Sequence, residues 1–344
     1  MYMAAANAQL IPVAESAEVW NGVTVSDDGR IFVNYPRLEG DAGMRIAEIV
    51  KGKAIPYPDS VWNGWRPGMV SEGHFVRTNS LRIGPDGYLW VVDTGAPSMG
   101  VAAIPGAAKL VAFDLHSNKV VRAIPVDPVM VAGSFIDDLR IHRGTIFLTD
   151  AGSPGLVVMD YHTGRGRRVL EHATSTTDQI AIRAEGEVMT TAGSQPVRIH
   201  ADQLEVTPDG RWLYFQPASG PLYRAETHDL LDASLSADAL VTRVQRFYPT
   251  PSTGGTCIDD EGNLYVSDVD ASVIFRLTPE GNREEIVHDP RLAWGDALWI
   301  DARGYLWVPV GQLNRLGVFH DGVSRVKPPL MIYKIKINAK PFRS

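Results

Sequence analysis

One short phrase recurs six times along this 344-residue chain, and it limits the fold more than any other feature. Each copy has an apolar strand, a Gly-centred turn that usually carries Asp, and a second apolar strand, as in VTVSDDGRIFVNY at 23–35 and LRIGPDGYLWVVDTG at 81–95. Asp-Gly turns supply the positive φ that a tight hairpin needs. The turn glycines are residues 29, 87, 144, 210, 262 and 304, a spacing typical of four-stranded blades. We therefore expect an all-β fold, a six-bladed β-propeller with four-stranded blades and short helical insertions.

The repeat also sets the expected organisation of the chain. It predicts an N-terminal tail at residues 1–15, a single propeller domain at 16–338 and a C-terminal tail at 339–344. The segment Leu10–Val13 would close the ring against the alternating strand LMIYKIKI at 330–337. A helix is expected over Thr227–Leu240, capped by Thr227 or Asp229.

Composition narrows the class of partner. The net charge of −7 and the pI near 5.7 argue against nucleic acid or an anionic membrane, and no apolar run approaches a membrane span. We expect a small-molecule ligand or substrate, and the oligomeric state stays open. The single cysteine, Cys257, lies in an apolar strand and reads as a buried structural thiol. If Ala4–Gln9 is the remnant of a signal-peptide cleavage region, the protein is periplasmic or secreted; otherwise it is cytoplasmic.

Several segments resemble the major royal jelly and yellow protein family. They are SLRIGPDGYLWVVDTG, KLVAFDL, SFIDDLRI and MIYKI, in that order over nearly the whole chain. A looser similarity, through WNGVTVSDDG, GTCIDDEGNLYVSD and WGDALWIDARGYLWV, is to the gluconolactonase and regucalcin group. Both resemblances imply a six-bladed propeller with a small-molecule pocket. The second also implies a divalent ion, typically calcium, held at the axis by Glu, Asn and Asp and used in lactone hydrolysis.

The chain departs from the gluconolactonase pattern in three places. Glu72-Gly73 lies in the insertion before the second blade, and Asp202-Gln203 and Asp296-Ala297 stand where Asp-Gly is usual. The ligand set must therefore be predicted from this chain's own residues.

The residue before each innermost strand is expected to face the mouth of the central channel. These positions are Asn21, Asn79, Asp137 or Asp138, Asp202, Thr253–Thr256 and Asp296. Converging oxygen ligands suit Ca²⁺ or Mg²⁺. We expect a divalent cation, with Ca²⁺ as the first candidate, bound by Asn79, Asp138, Asp202 and Asp296. The alternative is that these side chains cap strand ends by accepting backbone hydrogen bonds.

Two long insertions, 60–79 and 171–203, should run over the same end of the propeller. The predicted catalytic residues are His200, Asp202 and His74, with His200 as the general base. The predicted substrate-binding residues are Trp62, Trp65, Arg77, Gln195, Arg198 and Trp294. Packing between blades is the alternative role of the tryptophans, and a surface position is the alternative for His74.

Other carboxylates have an expected structural role. They are the turn residues Asp28, Asp86, Asp209, Asp260 and Glu261, and the strand-end residues Asp93, Asp150 and Asp268.

These patterns favour a metal-assisted hydrolase of lactones or cyclic esters. The first alternative is a non-catalytic small-molecule-binding protein of the royal jelly type. An isomerase of oxidised aromatics ranks behind both, because the resemblance to the royal jelly and yellow family alone implies it. The sequence leaves open whether the protein is an enzyme, because a shared fold does not fix a reaction.

Overall fold

The computed structural model of the protein describes residues 8–38 and 43–344. Six four-stranded antiparallel sheets follow one another around a ring, which confirms the six-bladed propeller. Residues 4–7 of the expected cleavage region lie outside the described range. No helix in the described range is long and apolar enough to cross a membrane.

The strands are numbered in chain order. The first is β1 (Ile11–Ser16); blade 1 is β2 (Gly22–Val25), β3 (Ile31–Asn34), β4 (Ile46–Val50) and β5 (Lys53–Pro56). Blade 2 is β6 (Thr78–Ile83), β7 (Leu89–Asp93), β8 (Lys109–Asp114) and β9 (Lys119–Pro125), followed by a 3₁₀ turn at Asp127–Val129. Blade 3 is β10 (Ile136–His142), β11 (Thr145–Asp150), β12 (Gly155–Asp160) and β13 (Gly166–Val169).

A two-stranded hairpin, β14 (Arg183–Ala184) and β15 (Glu187–Val188), stands between blades 3 and 4. Blade 4 is β16 (Ala201–Val206), β17 (Trp212–Pro217), β18 (Leu222–Glu226) and β19 (Gln245–Tyr248). Blade 5 is β20 (Thr253–Ile258), β21 (Leu264–Asp268), β22 (Val273–Leu277) and β23 (Arg283–His288). Blade 6 contains β24 (Trp299–Ile300), β25 (Tyr305–Pro309) and β26 (Leu330–Lys336), with 3₁₀ turns at Leu313–Arg315 and Gly317–Phe319.

The ring is closed by strands from distant parts of the chain. Strand β1 pairs antiparallel with β26 and forms the outer strand of blade 6. The inner edges of blades 1 and 6 meet at a bridge between Gly22 and Ala297, and the buried Trp20 Nε1 donates to the Val310 carbonyl at 3.1 Å. Because the ring is closed, each blade packs against a blade on both sides.

The helical insertion differs from the prediction. Blade 4 carries two short helices, α1 (Thr227–Leu231) and α2 (Ala237–Arg243), where one was expected over Thr227–Leu240. The chain turns between the two helices, and α2 then begins after Ser236. Ser236 is the N-cap of α2, and its hydroxyl accepts a hydrogen bond from the Ala239 N–H. Neither Thr227 nor Asp229 caps a helix through its side chain.

The strand-end carboxylates have the structural role that was predicted. Asp93 accepts from the backbone N–H groups of Val76, Arg77 and Gly95, and so fixes the chain before the inner strand β6. Asp150 and Asp268 bind backbone amides in the same way in blades 3 and 5. Cys257 is buried, as expected.

Candidate active site at the propeller axis

A β-bulge at the start of the inner strand selects which side chains face the channel in four blades. In blades 2 to 5 the pairing of the first two strands shifts register immediately after the first pair. A bulge leaves a residue without a cross-strand partner and redirects its side chain. The residues in these bulges are Asn79, Asp137, Asp138, Asp202, Gly254 and Gly255.

These residues line a cavity on the propeller axis, the axial cavity. Asn21 and Asp296, which precede the inner strands of blades 1 and 6, complete the ring. The full lining is Asn21, Asn79, Ser80, Arg82, Asp137, Asp138, Asp202, Gln203, Gly254, Gly255, Thr256, Asp296 and Ala297. The space open to the centres of water-sized molecules is about 20 Å³, which is room for about one water or one ion.

Blade 5 has glycines in this ring because the neighbouring backbone leaves no room for a side chain. A Cβ at Gly255 would lie 2.5 Å from the carbonyl carbon and oxygen of Asp296. At Gly254 and Gly255, blade 5 therefore forms the wall of the axial cavity with backbone alone, and the acidic groups come from blades 3, 4 and 6.

Three of these acidic groups, Asp137, Asp202 and Asp296, are named the axial carboxylates. Burial, followed by repulsion from Asp202, raises the pKa of Asp137 well above its usual range. Burial also raises the pKa of Asp296, and raises that of Asp202 to about 7. The side chains of Asp137 and Asp202 interact with each other, and burial raises the pKa of both, which favours a proton between them in the absence of another cation.

Amide and indole N–H groups hold the axial carboxylates in place. Asn79 Nδ2 donates to Asp137 Oδ1 at 2.7 Å, and Gln203 Nε2 donates to Asp202 Oδ2 at 2.6 Å. Asp296 accepts at Oδ2 from Trp294 Nε1 at 3.1 Å, and at Oδ1 from its neighbour's backbone N–H at 2.8 Å. These neutral donors orient the carboxylates without cancelling their charge.

Asp138, a predicted metal ligand, has a different role from its neighbour. Burial would raise its pKa, but Arg140 and Arg82 outweigh that effect and lower it to about 2. Its Oδ2 accepts from Arg140 Nη1 at 2.7 Å, and its Oδ1 accepts from Ser80 and from the Leu139 N–H. Both oxygens are engaged, so Asp137 and not Asp138 presents the available carboxylate of blade 3.

Asp138 belongs to a buried ionic layer directly beneath the axial cavity. Arg140 makes two bonds to Glu205, at 2.9 and 2.6 Å, in addition to its bond with Asp138. Arg82 lies 3.5 Å from Asp138 and donates to the Leu298 carbonyl at 2.7 Å. We call Arg82, Arg140, Asp138 and Glu205 the ionic layer; sequence analysis missed it because its members come from three blades.

The donor set of the axial cavity fits a hard divalent cation in chemistry. The axial carboxylates and the side chains of Asn21 and Asn79 offer oxygen, the ligand atom that Ca²⁺ and Mg²⁺ prefer. The cluster is not a closed cage. In the described residues the set of three carboxylate or imidazole ligand atoms within 4.8 Å of one another is Glu226, His228 and Asp229, so the axial carboxylates are more widely spread. An ion on the axis would need amide oxygens to complete its coordination.

The group Glu226, His228 and Asp229 is already neutralised by arginines. Arg211 pairs with Glu226 at 2.7 Å, and Arg243 pairs with Asp229. We therefore place the candidate ion site on the axis.

The structure does not bring the predicted histidines to the axial cavity. His200 lies between blades 3 and 4, where its Nδ1 accepts from the Asp178 N–H at 3.1 Å and burial lowers its pKa. That bond leaves Nδ1 occupied. His74 is in a local turn and its Nδ1 lies 2.8 Å from the Glu72 carbonyl oxygen. Of the three predicted catalytic residues, Asp202 alone lines the axial cavity.

The predicted substrate-binding residues also lie elsewhere in the described structure. Trp62 packs with Phe75 and Phe113 between blades, and Trp65 is buried with its Nε1 donating to the Met69 carbonyl. The others are Arg77, which is buried and donates to the Arg37 carbonyl, Gln195 and Arg198, which are exposed, and Trp294, which is buried beside Asp296. The insertions that contain most of these residues are rich in Trp, Gly and Arg because they cover one end of the propeller, and not because they line a pocket.

The insertion between blades 3 and 4 reaches across blade 5 to blade 6. Its hairpin, residues 182–189, is named the cover hairpin. Arg183 N donates to Ser252 Oγ at 2.9 Å and Glu185 N donates to the Val269 carbonyl at 3.3 Å, both in blade 5. At its tip Glu185 binds Asn314 and Arg315 of blade 6. The cover hairpin thus lies over the one blade that gives the axial cavity no side chain except Thr256.

The sequence profile of the major royal jelly protein family matches residues 78–336. The chain belongs to this family. The match runs from the first residue of the inner strand of blade 2 to the last residue of β26, and so spans five blades of this family member. No curated protein sequence matches the chain.

Several solved structures have the same fold. A luciferin-regenerating enzyme superposes with a TM-score of 0.59 at 12% identity, covering 98% of each chain. A gluconolactonase from Xanthomonas campestris gives 0.57 at 12%, covering 96% of this chain and 89% of that one. A virginiamycin B lyase from Staphylococcus aureus gives 0.51 at 16%, covering 87% and 81%. At these identities the likeness extends to the fold alone.

Proposed function

We propose that the protein is a hydrolase of lactones or related cyclic esters that uses a divalent cation, Ca²⁺ in the first instance, in the axial cavity. The observation that carries this proposal is the set of three partly buried carboxylates in one small cavity, Asp137, Asp202 and Asp296, to which no positive side chain of the described residues is bonded. Buried like charges require a proton or a cation. The shared fold with a gluconolactonase supports the choice of substrate class.

Asp202, Asp296 and the amide oxygen of Asn79 are the groups that would hold the cation. When bound, a divalent cation polarises the ester carbonyl and lowers the pKa of a water molecule. Asp137 is in contact with Asp202 and is fixed by Asn79, so it is placed to take a proton from the attacking water.

The chemistry balances with these groups. The water oxygen forms a bond to the lactone carbonyl carbon, and one of its protons passes to Asp137. The ring C–O bond then breaks, and the same proton goes to the departing ring oxygen to give a hydroxy acid. Asp137 thus serves first as the general base and then, once protonated, as the general acid.

A non-catalytic small-molecule-binding protein is the second candidate, and one observation favours it. The axial cavity has room for about one water or ion, so a lactone could reach it only from above, at the mouth. In that case the axial carboxylates would hold a structural ion and the ligand would bind over it.

Metal content and hydrolysis together test the first candidate. The protein is purified without chelator, its metals are quantified, and Ca²⁺ binding is measured by calorimetry. Hydrolysis of a panel of γ- and δ-lactones is followed by proton release. We expect one divalent ion per chain and lactone hydrolysis that EDTA abolishes and Ca²⁺ restores.

Matched Asp→Asn variants assign the effect to the site. Asp202→Asn and Asp296→Asn should each lower Ca²⁺ affinity by at least about tenfold, since each removes a charged ligand. Asp260→Asn makes the same change in an exposed turn and should leave affinity unchanged. A protein that binds Ca²⁺ but hydrolyses no lactone would favour the second candidate, and one that does neither would overturn both uses of the site.

A further inference from the structure

Trp294 stands between the cover hairpin and Asp296. It is 4% exposed and packs with Ile182, Ala184, Met189 and Val197 of the insertion, and with Ala218 and Val269 of blades 4 and 5. On its other side its Nε1 donates to Asp296 Oδ2 at 3.1 Å. One side chain thus joins the cover to a carboxylate of the axial cavity.

The backbone of Trp294 has an unusual conformation for so large a residue. Its φ is +55°, in the left-handed region that favours glycine and is costly for bulky side chains. Backbone bonds hold it there: Gly311 N donates to the Trp294 carbonyl at 3.0 Å, and Gln312 N donates to the carbonyl of the preceding residue at 3.2 Å. Such conformations persist where the surroundings enforce them, and they are concentrated at functional sites.

The cover hairpin is fastened over Trp294 by a specific ionic contact. Its turn residues, Glu185 and Gly186, both have positive φ, at 51° and 82°, as in a two-residue hairpin turn where Asn-Gly is preferred. Glu185 is unfavourable in that conformation, yet its carboxylate accepts from Asn314 Nδ2 at 2.7 Å and from Arg315 Nε at 2.8 Å and Nη2 at 2.5 Å. Glu185 is disfavoured at this turn position but makes three such bonds. We infer that the contact with Asn314 and Arg315 is the reason for a glutamate here.

We propose that Trp294 is a positioning residue for Asp296, and that the cover hairpin, fastened by Glu185 to blade 6, holds Trp294 in place. Fastening the hairpin therefore fixes a carboxylate that the hairpin does not touch. The use of ion affinity as one readout rests on the proposed function; the geometric inference does not.

Trp294→Phe is the first test, because it keeps an aromatic ring and removes the indole N–H. The matched control is Trp307→Phe in the same blade: Trp307 is also 4% exposed and its Nε1 donates to Asp301 Oδ2 at 2.8 Å, in a turn at the other end. Amide hydrogen exchange at Ala297 is measured by NMR, since that N–H is shared between Asp296 Oδ1 at 2.8 Å and the Asn21 carbonyl at 3.1 Å. We expect exchange at least about tenfold faster in Trp294→Phe and unchanged in Trp307→Phe.

Calcium affinity gives the second readout for the same pair. Loss of a hydrogen bond to a metal ligand typically weakens metal binding by about 10–100-fold. We expect that range for Trp294→Phe and no change for Trp307→Phe, with the melting temperatures of both variants compared to detect a general loss of structure. Equal effects of the two variants on Ala297 exchange would overturn the positioning role.

Glu185→Gln tests the cover from a distance, with Glu187→Gln as its control. Glu187 is in the same hairpin, but its contact with Arg325 is long, 3.5 Å, and exposed. Glu185→Gln should speed exchange at both the hairpin and Ala297, whereas Glu187→Gln should alter neither. Faster exchange in the hairpin with no change at Ala297 would refute the link between cover and carboxylate. If wild-type protein binds no Ca²⁺, the proposed function fails, and the exchange measurements still decide this inference.

Discussion

Asp137 and Asp138 are the same residue type, are adjacent in the chain and both line the axial cavity, yet their surroundings shift their pKa values in opposite directions. Asp138 is neutralised by Arg140 and Arg82, which bring its pKa to about 2. Asp137 meets two further carboxylates and an amide, and its pKa rises well above the usual range. The ionic layer pairs its charges, and the axial carboxylates one level above remain unpaired.

The difference separates structural charge from functional charge in one channel. Buried charges that neutralise one another serve the fold, whereas partly buried carboxylates with raised pKa and no cationic partner among the described residues cost stability, and such groups are concentrated at functional sites. The two levels also share a wall, because Arg82 borders the axial cavity and binds Asp138. Substitutions can therefore test each level against the other.

Arg140→Met should give the largest effect. It leaves Asp138 and Glu205 buried without their shared cation, and breaking a buried pair typically costs about 3–5 kcal/mol in unfolding free energy. Urea denaturation measures the loss. Arg246→Met, on the exposed outer strand β19, is the control and should change stability by less than about 0.5 kcal/mol. A loss below about 1 kcal/mol for Arg140→Met would mean that the ionic layer is not what holds this part of the channel.

Asp138→Asn and Asp137→Asn should have opposite signs at pH 8 in EDTA. The first removes a carboxylate stabilised by arginine, and a pKa of about 2 against the usual 3.8 corresponds to a loss of about 2 kcal/mol. The second removes an unfavourable buried charge, so the unfolding free energy should rise by about 1 kcal/mol or more. Urea titrations of both variants measure this. If both variants are destabilised, the axial carboxylates are not a source of strain in the free protein.

Above pH 4, the raised pKa values of the axial carboxylates should make the protein less stable as the pH rises. Burial raises the pKa of Asp202 from 3.8 to about 7, so the folded state holds its proton through that window while the unfolded state releases it. The unfolding free energy in EDTA should therefore fall as pH rises from 4 to 7, by at most about 1.4 kcal/mol per pH unit for one such group. Melting temperatures at pH 5 and pH 8 measure the trend.

Calcium supplies the control for that trend. A bound divalent cation replaces the shared proton, so saturating Ca²⁺ should flatten the decline between pH 5 and pH 8. A flat profile in EDTA would contradict the raised pKa of Asp202. A decline that Ca²⁺ leaves unchanged would show that the carboxylates prefer the proton to this ion.

The six recurring hairpins predicted the propeller because turn chemistry and strand pattern are local properties. The same pattern placed Asn79, Asp202 and Asp296 on the axis, since every inner strand begins at the same end. For blade 3 it offered Asp137 or Asp138 and selected Asp138 as the ligand, without a basis for the choice, because strand alternation fails at a bulge and the blade 3 bulge leaves no local sequence signature. The ionic layer depends on arginines from two blades, so their pairing is a property of the ring.

The insertions were harder still to predict. Their Trp, Arg and His content suggested a pocket, but Trp62 and Trp65 fill space between blades and His200 accepts a backbone hydrogen bond. Side-chain type does not distinguish a lining residue from a packing residue. Trp294 was assigned to substrate binding for the same reason, and its contact with Asp296 depends on a left-handed backbone that no Trp would be expected to adopt.

The closure of the ring by β1 and β26 also bears on the order in which the molecule assembles. Blade 6 carries Asp296, and its sheet is complete only when strands from opposite ends of the sequence have met. Contacts between such distant segments form slowly, because a long loop must close first. We therefore expect the axial cavity to be among the last features to form during folding, so that a ligand which requires Asp296 would bind closed rings in preference to open ones.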